Sequence, residues 1–498
     1  MNQTILGHRL AAVESAFLQR FQNERLVYTL GHDPCRAFAA RRSGPDQGTG
    51  DEHIQAHQAG CTTLCSSSCG GFLASGGADA SIRFWDLQNS FREATVISPL
   101  AALTKAEARA HTRSITSLSI YPFDPTPSTI LSTAFDKTLL LTQIGPSSLT
   151  PLHSFPLDYA PYCHATSPIP SPQPLVAVGA AHPAIRLLDL RSGHSIHSLP
   201  GHNGTVYTLS WSPRIEHVLV SGASDGRVLF FDIRRANAAF ASLDLDDAIG
   251  VGPGNIKHPS QLLDFSARAH NGAVNSVQFT SNLSADRLVT TGHDQRIRVW
   301  DLGNGRNELV HFGPRIRNAR QMQLAPLLTP PGTVTKPSRE ALLWPNDESK
   351  GEIHMHSFRE GQLLRVLKME GLKRNQDGKA SDKFLGKGRI NQIVWRMGDS
   401  SEGIEVLSAH GDGSIAVWRS LDDEDGSQEA EHEAGAEAAD ASVSKQIEEL
   451  EKKRKRKREL LEGLVDGLSK KPGRSADDDD GLSKKLGQYN GTSKKLSR

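Results

Sequence analysis

The chain has 498 residues, a formal net charge of +1, 37% hydrophobic residues and five cysteines. That length can bury a large core, and so few cysteines give no disulfide framework, which points to a reducing compartment. No apolar run approaches the ~20 residues that cross a bilayer and no signal peptide opens the chain, so a soluble intracellular protein without membrane contact is expected.

In chain order, residues 1–24 come first. Leu6, Leu10, Val13, Phe17 and Phe21 recur at three- and four-residue steps, one face of an amphipathic helix. His8, Arg9, Glu14, Gln19 and Arg20 fall on the other side. The apolar stripe has to dock on the body of the protein or on another chain. The next run, Arg25-Leu-Val-Tyr-Thr-Leu30, is short and apolar. Val27, Tyr28 and Thr29 favour strand over helix, so a strand is expected there; the alternative is a continued helix.

From residue 57 to residue 418 one phrase keeps returning. It reads Ser75-Gly-Gly-Ala-Asp79 then Trp85, Ser221-Gly-Ala-Ser-Asp225 then Phe231, and Thr290-Thr-Gly-His-Asp294 then Trp300. Variants are Ser132-Thr-Ala-Phe-Asp136 before Thr142 and Ser408-Ala-His-Gly-Asp412 before Trp418. The Asp suits a tight turn between two strands. A His lies upstream of four of these turns, His57, His111, His202 and His270, by 22 to 25 positions. That gap fits a strand out, a turn and a strand back.

Self-similarity of this kind resembles the WD repeat, whose family forms β-propellers. The resemblance implies that His, Ser or Thr, Asp and Trp are linked within a blade by buried hydrogen bonds. Two sets are complete: His57, Ser75, Asp79, Trp85, and His270, Thr290, Asp294, Trp300. His202, Ser221 and Asp225 form a third that ends in Phe231. A Ser-His-Asp triad is the competing reading, but a catalytic constellation is needed once and this one recurs in blade after blade.

The turn Asp residues are 57 positions apart between Asp79 and Asp136, and 69 between Asp225 and Asp294, so loops are inserted between blades, among them 236–265 and 303–340. A degenerate repeat lies between, with Val178 in the Ser slot, His182 in the Asp slot and Leu188-Asp189 closing it. A further divergent blade fits around 341–358. The sum is an all-β, seven-bladed propeller over 25–420, with the 25–30 strand completing the last blade and removing an open sheet edge.

Cys61, Cys65 and Cys69 beside His57 invite a metal reading, but they lack tight Cys-x-x-Cys pairs and span a strand and a turn. No metal, cofactor or catalytic residue is expected, and the chain is read as a non-enzyme.

Composition shifts after residue 421. Residues 421–440 hold nine Asp or Glu and no Lys or Arg, and a disordered segment is expected. Residues 443–468 have helical character, interrupted by Lys452, Lys453, Arg454, Lys455, Arg456, Lys457 and Arg458. Such a run reads as a nuclear import signal or a nucleic-acid patch, so a nuclear location is expected and direct nucleic-acid binding is confined to this tail. The remainder of 421–498 is low-complexity.

Longer phrases carry a closer resemblance. They are Thr-Ala-Phe-Asp-Lys-Thr-Leu at 133–139, Leu-Val-Ala-Val-Gly at 175–179 with Asp-Leu-Arg-Ser-Gly at 189–193, and Ser-Trp-Ser-Pro-Arg at 210–214 leading to Phe-Asp-Ile-Arg-Arg at 231–235. Ala-His-Asn-Gly-Ala-Val-Asn at 269–275, Phe-Thr-Ser at 279–281 and Arg-Val-Trp at 298–300 continue the order. The set is similar to the Cockayne syndrome group A family of WD-repeat proteins. It covers residues 1 to about 420 in order, with the sixth and seventh blades matching poorly and the tail not at all.

The resemblance implies a substrate receptor of a cullin-4 ubiquitin ligase in transcription-coupled nucleotide excision repair. Its implied partner is the large adaptor subunit of the damage-specific DNA-binding protein, with repair factors or RNA polymerase II as substrates. Such receptors hold the adaptor through an N-terminal helical segment and a propeller edge, which would place Leu6, Arg9, Leu10, Val13 and Phe17 at that interface. The family's edge motif matches Asp232 with Arg234 well and Asp189 with Arg191 less well, whereas Gln88 and Gly303 depart from it. The rival reading is a nuclear WD scaffold of chromatin or ribosome assembly.

Overall fold

The computed structural model describes residues 15–40, 55–88, 96–124, 127–171, 174–235, 239–245, 267–280, 287–303, 306–313, 316–318, 324–346, 351–369, 388–397 and 404–420. The chain divides after Leu421, and every described residue belongs to the first unit. The acidic segment, the 443–468 stretch and the basic run all lie outside the described residues.

Seven four-stranded antiparallel sheets follow one another as blades. In blade one, Cys61–Ser66, Phe72–Gly77, Ile82–Asp86 and Ala101–Leu103 pair in that order. Blade two uses Ile115–Ile120, Thr129–Ala134, Thr138–Ile144 and Leu149–Pro156. Pro161–Thr166, Leu175–Ala180, Ile185–Asp189 and His194–Leu199 make blade three. Blade four is Val206–Trp211, Val218–Ala223, Val228–Asp232 and Ala239–Ser242. Val274–Phe279, Arg287–Gly292, Arg296–Asp301 and Arg306–Asn307 form blade five. The divergent sixth blade is Leu327–Leu328, Ala341–Pro345, Ile353–Ser357 and Leu363–Leu367. Blade seven takes Ile390–Met397, Ile404–His410 and Ile415–Ser420 from the end of the ring and Leu30–Asp33 from its beginning.

The second strands are buried along almost their whole length, as Val218–Ala223 shows, because each is covered on both faces by neighbouring blades. Apolar clusters accordingly form between blades. One packs Trp85 and Leu73 against Leu407 and Val417, joining blades one and seven. Others join blades one and two, two and three, three and four, four and five, five and six, and six and seven. Every adjacent pair shares a core, so the ring is continuous. First strands of successive blades are neighbours and line the central channel.

The helix α1, Ser15–Tyr28, runs further than the sequence suggests. The strand expected over 25–30 does not form there: Arg25 to Tyr28 finish the helix, and pairing begins at Leu30 opposite Ser420 and ends at Asp33 opposite Val417. Val27 explains the difference, because as a helical residue it is fully buried among Leu343, Ile353 and Val406 of blades six and seven. Burial of that side chain outweighs its β preference. The ring is nonetheless closed by N-terminal sequence, a few residues later than expected.

The same segment then crosses to blade one. Ala37–Phe38 pairs in parallel with Val96–Ile97, and Phe38 meets Trp85 edge to face at 5.1 Å. A charged chain backs this strap: Arg419 to Asp33 at 2.8 Å, Arg36 to Glu405 at 3.6 Å, and buried Arg396 to Glu405 at 2.7 Å. Arg396 also donates to the Gly70 and Leu87 carbonyls of blade one.

Candidate functional site

The repeated residues meet in four blades in the same arrangement. In blade one, His57 Nε2 lies 2.8 Å from Ser75 Oγ, His57 Nδ1 lies 3.3 Å from Asp79, and Trp85 Nε1 donates to Ser75 Oγ at 2.9 Å. Blade five repeats this with His270, Thr290, Asp294 and Trp300 at 2.8, 3.0 and 2.9 Å. His202 joins Ser221 at 2.7 Å and Asp225 at 3.2 Å in blade four, where Phe231 replaces the Trp. His111, Ser132 and Asp136 do the same in blade two.

In blade one a single tautomer satisfies the whole set: Trp85 donates to the Ser75 hydroxyl, the hydroxyl donates to His57 Nε2, and Nδ1–H donates to Asp79, whereas in blade five Arg298 Nη1 also approaches His270 Nδ1. Burial holds the His57 and His270 imidazoles below the ordinary histidine value and therefore neutral. Partial burial opposes ionisation of Asp136, but hydrogen bonds from His111 and Thr138 outweigh it and push the carboxyl down to about 2. Asp79 and Asp294 are likewise held well below the carboxylate range, against partial burial, by His57 with Ser81 and by His270 with Arg298. Gly292 is obligatory, since a Cβ there would stand 2.5 Å from His270 Nδ1. A Ser with both its donor and acceptor sites engaged inside a blade is a staple, with no open face for a substrate.

Two blades solve the problem differently. In blade seven no upstream His exists, and His410 inside the second strand takes Ser408 Oγ at 2.8 Å while Trp418 donates to it at 2.8 Å. The phrase contained that His, yet a side chain two residues from its partner along one strand is not what the spacing rule seeks. In blade three His182 Nδ1 accepts the Ala184 amide at 3.1 Å, the turn contact that Asp makes elsewhere, and Val178 is simply core.

Cys61 and Cys65 are occupied in packing, and Cys69 stands exposed in the turn, its Sγ 3.2 Å from Ser67 Oγ. Cys61 is buried, burial pushes its thiol up, and Cys65 Sγ accepts the Ile120 amide at 3.4 Å. With both ring nitrogens of His57 engaged in the staple, these residues do not converge on a common point.

Of the residues assigned to a partner interface, Asp189, Arg191, Asp232 and Arg234 fall on the opposite end of the blades from the staple turns. Asp232 ends a third strand, opposite the first residue of the second, Val218. Arg234 returns to it bidentately, Nε to Oδ1 at 3.0 Å and Nη2 to Oδ2 at 2.8 Å, and these bonds hold the Asp232 carboxyl below its usual range. The Arg234 side chain is still 64% exposed, so pairing within the blade fixes the guanidinium and leaves it at the surface. Asp189 Oδ1 accepts the Arg191 amide at 2.8 Å, with Arg191 exposed.

Helix α1 reaches the ring on this same face. Glu24 accepts the Thr335 amide at 2.9 Å, and Tyr28 Oη donates to the Arg339 carbonyl at 2.9 Å, both in the loop between the first two strands of blade six. Phe21, by contrast, is 42% exposed. Leu6, Arg9, Leu10 and Val13 lie outside the described residues, and Phe17 is placed only by its backbone on α1. The channel also opens on this face as a cavity of about 490 Å³, lined by His164, Trp211, Gln278, Leu328 and Pro330 among others.

A WD domain, G-beta repeat, model matches residues 51–86, 104–141, 193–232 and 262–301. The chain is a WD40-repeat protein. The matched repeats are the four blades with the upstream-His staple; blades three, six and seven are the ones that depart from it. Propellers of this repeat are typically non-catalytic scaffolds that mediate protein–protein contact. WD repeat-containing protein ATCSA-1 of Arabidopsis thaliana is 27% identical over 316 residues, 51% of this chain and 69% of that protein. Ribosome biogenesis protein YTM1 of Chaetomium globosum is 32% identical over 181 residues, 32% of this chain and 37% of that one. Nucleoporin SEH1 of Saccharomyces cerevisiae is 30% identical over 156 residues, 26% of this chain and 44% of its own length. Among the described residues no helix is long and apolar enough to cross a membrane.

Proposed function

We propose that this WD40 scaffold is the substrate receptor of a cullin-4-type ubiquitin ligase in transcription-coupled nucleotide excision repair. It would link the ligase's large adaptor subunit to repair factors or RNA polymerase II and would itself catalyse nothing. The observation that carries the reading is that α1, Arg234 and Arg191 lie on the same face of the ring. An anchored helix that turns Phe21 outward, on the same face as the fixed and exposed Arg234 guanidinium, is the form an adaptor interface takes. Similarity to ATCSA-1 over two thirds of that protein supports the same reading.

Leu10→Asp with Phe17→Asp should abolish co-purification of the adaptor from cells while the propeller stays folded. Unchanged co-purification would remove the helix from the interface. A ribosome-assembly scaffold is the second reading, favoured by the YTM1 similarity. It requires co-purification of pre-ribosomal proteins that survives the same helix variant.

A nuclear location is proposed from the basic run. Alanine at every position from Lys452 to Arg458 should move the protein to the cytoplasm by microscopy. A variant that stays nuclear and loses nucleic-acid retention at moderate salt would instead make the run a nucleic-acid patch.

A further inference from the structure

Blade three gave up the staple, and what stands at its surface is aromatic. His182 stacks on Tyr159 with ring centroids 4.5 Å apart. Phe135 of blade two meets Tyr162 of blade three edge to face at 5.6 Å, and Tyr162 meets Tyr207 of blade four in the same way at 5.2 Å. These rings share the face opposite Arg234. Phe135 and His182 sit in the turns between second and third strands, and Tyr159, Tyr162 and Tyr207 sit at the entries to first strands. Backbone bonds tie each turn to the neighbouring entry: Phe135 amide to Ser114 carbonyl at 3.1 Å, Ala181 to Ala160 at 2.9 Å, and Ser224 to Thr205 at 2.9 Å.

Phe135 is 38% exposed and Tyr159 is 45% exposed, although neither helps to fill a core. Exposed Phe135 and Tyr159, with half-buried Tyr162 and Tyr207 on the same turns and entries, are the composition of a docking surface rather than of a solvated rim. The carboxylates near them are held in local hydrogen bonds and an ion pair. Asp136 is engaged by His111 at 3.0 Å and by the Thr112 amide at 2.9 Å, Asp225 by His202, and Asp158 by Arg186. Arg113 and Lys137, on either side of Phe135 across the turn and entry loop, are exposed cations.

We propose that this rim binds a short extended acidic segment of a partner protein, with an apolar or aromatic residue of that segment seated among Phe135, Tyr162 and Tyr207. Single-stranded nucleic acid fits less well. Edge-to-face rings offer no run of parallel stacking platforms for successive bases. The proposal deepens the receptor reading, on which it rests for the partner being a held substrate, by naming the face and the chemistry that holds it.

Random-peptide display against the purified full chain tests it. The enriched peptides should carry an aromatic or aliphatic residue flanked by Asp or Glu. Their affinity should fall at least ~tenfold for Phe135→Ala with Tyr162→Ala, a loss of about 1.4 kcal/mol. Arg113→Glu with Lys137→Glu should weaken them too and reduce their salt dependence, and it carries the test alone if the aromatic variant does not fold. No enrichment, enriched peptides indifferent to the variants, or equal competition by oligothymidylate would overturn the proposal. The Leu10→Asp, Phe17→Asp chain should bind the peptides as the parent does. Peptide binding without any adaptor binding would therefore defeat the receptor reading and leave the rim standing.

Discussion

A buried neutral histidine makes the staples of blades one and five sensitive to acid. His57 and His270 are held below the ordinary value of 6.5 by burial, and burial also pushes His164 and His356 down to about 4. The unfolded chain takes up those protons near 6.5, so the folded state keeps their full contribution above that pH and loses it as pH falls below 6.5, for His164 and His356 down to about 4. The carboxylates act lower. Asp136, at about 2, contributes above 3.8 and its contribution is lost as pH drops from there through 2. Stability, followed by the melting temperature, should thus be level above neutrality, decline from pH 6.5 towards 4 at up to ~1.4 kcal/mol per pH unit for each of His164 and His356, with His57 and His270 adding to the fall below 6.5, and decline again below 3.8. A melting temperature that is constant from pH 7 to 4.5 would show that these rings are not held neutral. Staples read well in the sequence because each repeats at a fixed offset. His410 was not legible as one, because it reaches Ser408 from within the same strand.

At the scale of elements, the strap from Leu30–Asp33 to Ala37–Phe38 joins the last blade to the first. Its charged backing depends on Glu405, which is 5% exposed and faces Arg396, itself 1% exposed. Burial pulls the Glu405 carboxyl upward, and Arg396 is the main counterweight that keeps it ionised. Glu405→Ala leaves the Arg396 guanidinium buried without its carboxylate and should cost ~3–5 kcal/mol, measured by urea unfolding. A loss below ~1 kcal/mol would mean that the carbonyls of Gly70 and Leu87 suffice for Arg396. The need for an N-terminal closing strand was legible, since seven repeats leave one outer strand missing. Its position was not, because Val27 and Tyr28 are good strand formers whose burial beside blades six and seven keeps them helical. Blade six was legible only as a gap of the right length with Leu342, Leu343 and Trp344 inside it, since it carries none of the phrase.

For the whole molecule, the ring separates two surfaces. One end carries the tethered helix, Arg191, Arg234 and the channel mouth; the other carries the staple turns and the aromatic rim. Adjacent blades share a core all round the ring, so the two faces are held at a fixed separation, which suits a chain that holds one protein against another. On the first face, Arg234 was legible from its place after Phe231-Asp232, whereas most of the apolar stripe, Leu6, Leu10 and Val13, lies outside the described residues. The second was hidden, because Phe135, Tyr162 and Tyr207 lie far apart in the chain and meet only when blades two, three and four are side by side. The receptor role is tested most directly by calorimetric titration of the purified full chain with the purified large adaptor subunit. The expected result is saturable binding, weakened at least ~tenfold by Leu10→Asp with Phe17→Asp and also weakened by Arg234→Ala. Absence of binding by the parent chain, or equal binding by all three proteins, would contradict it.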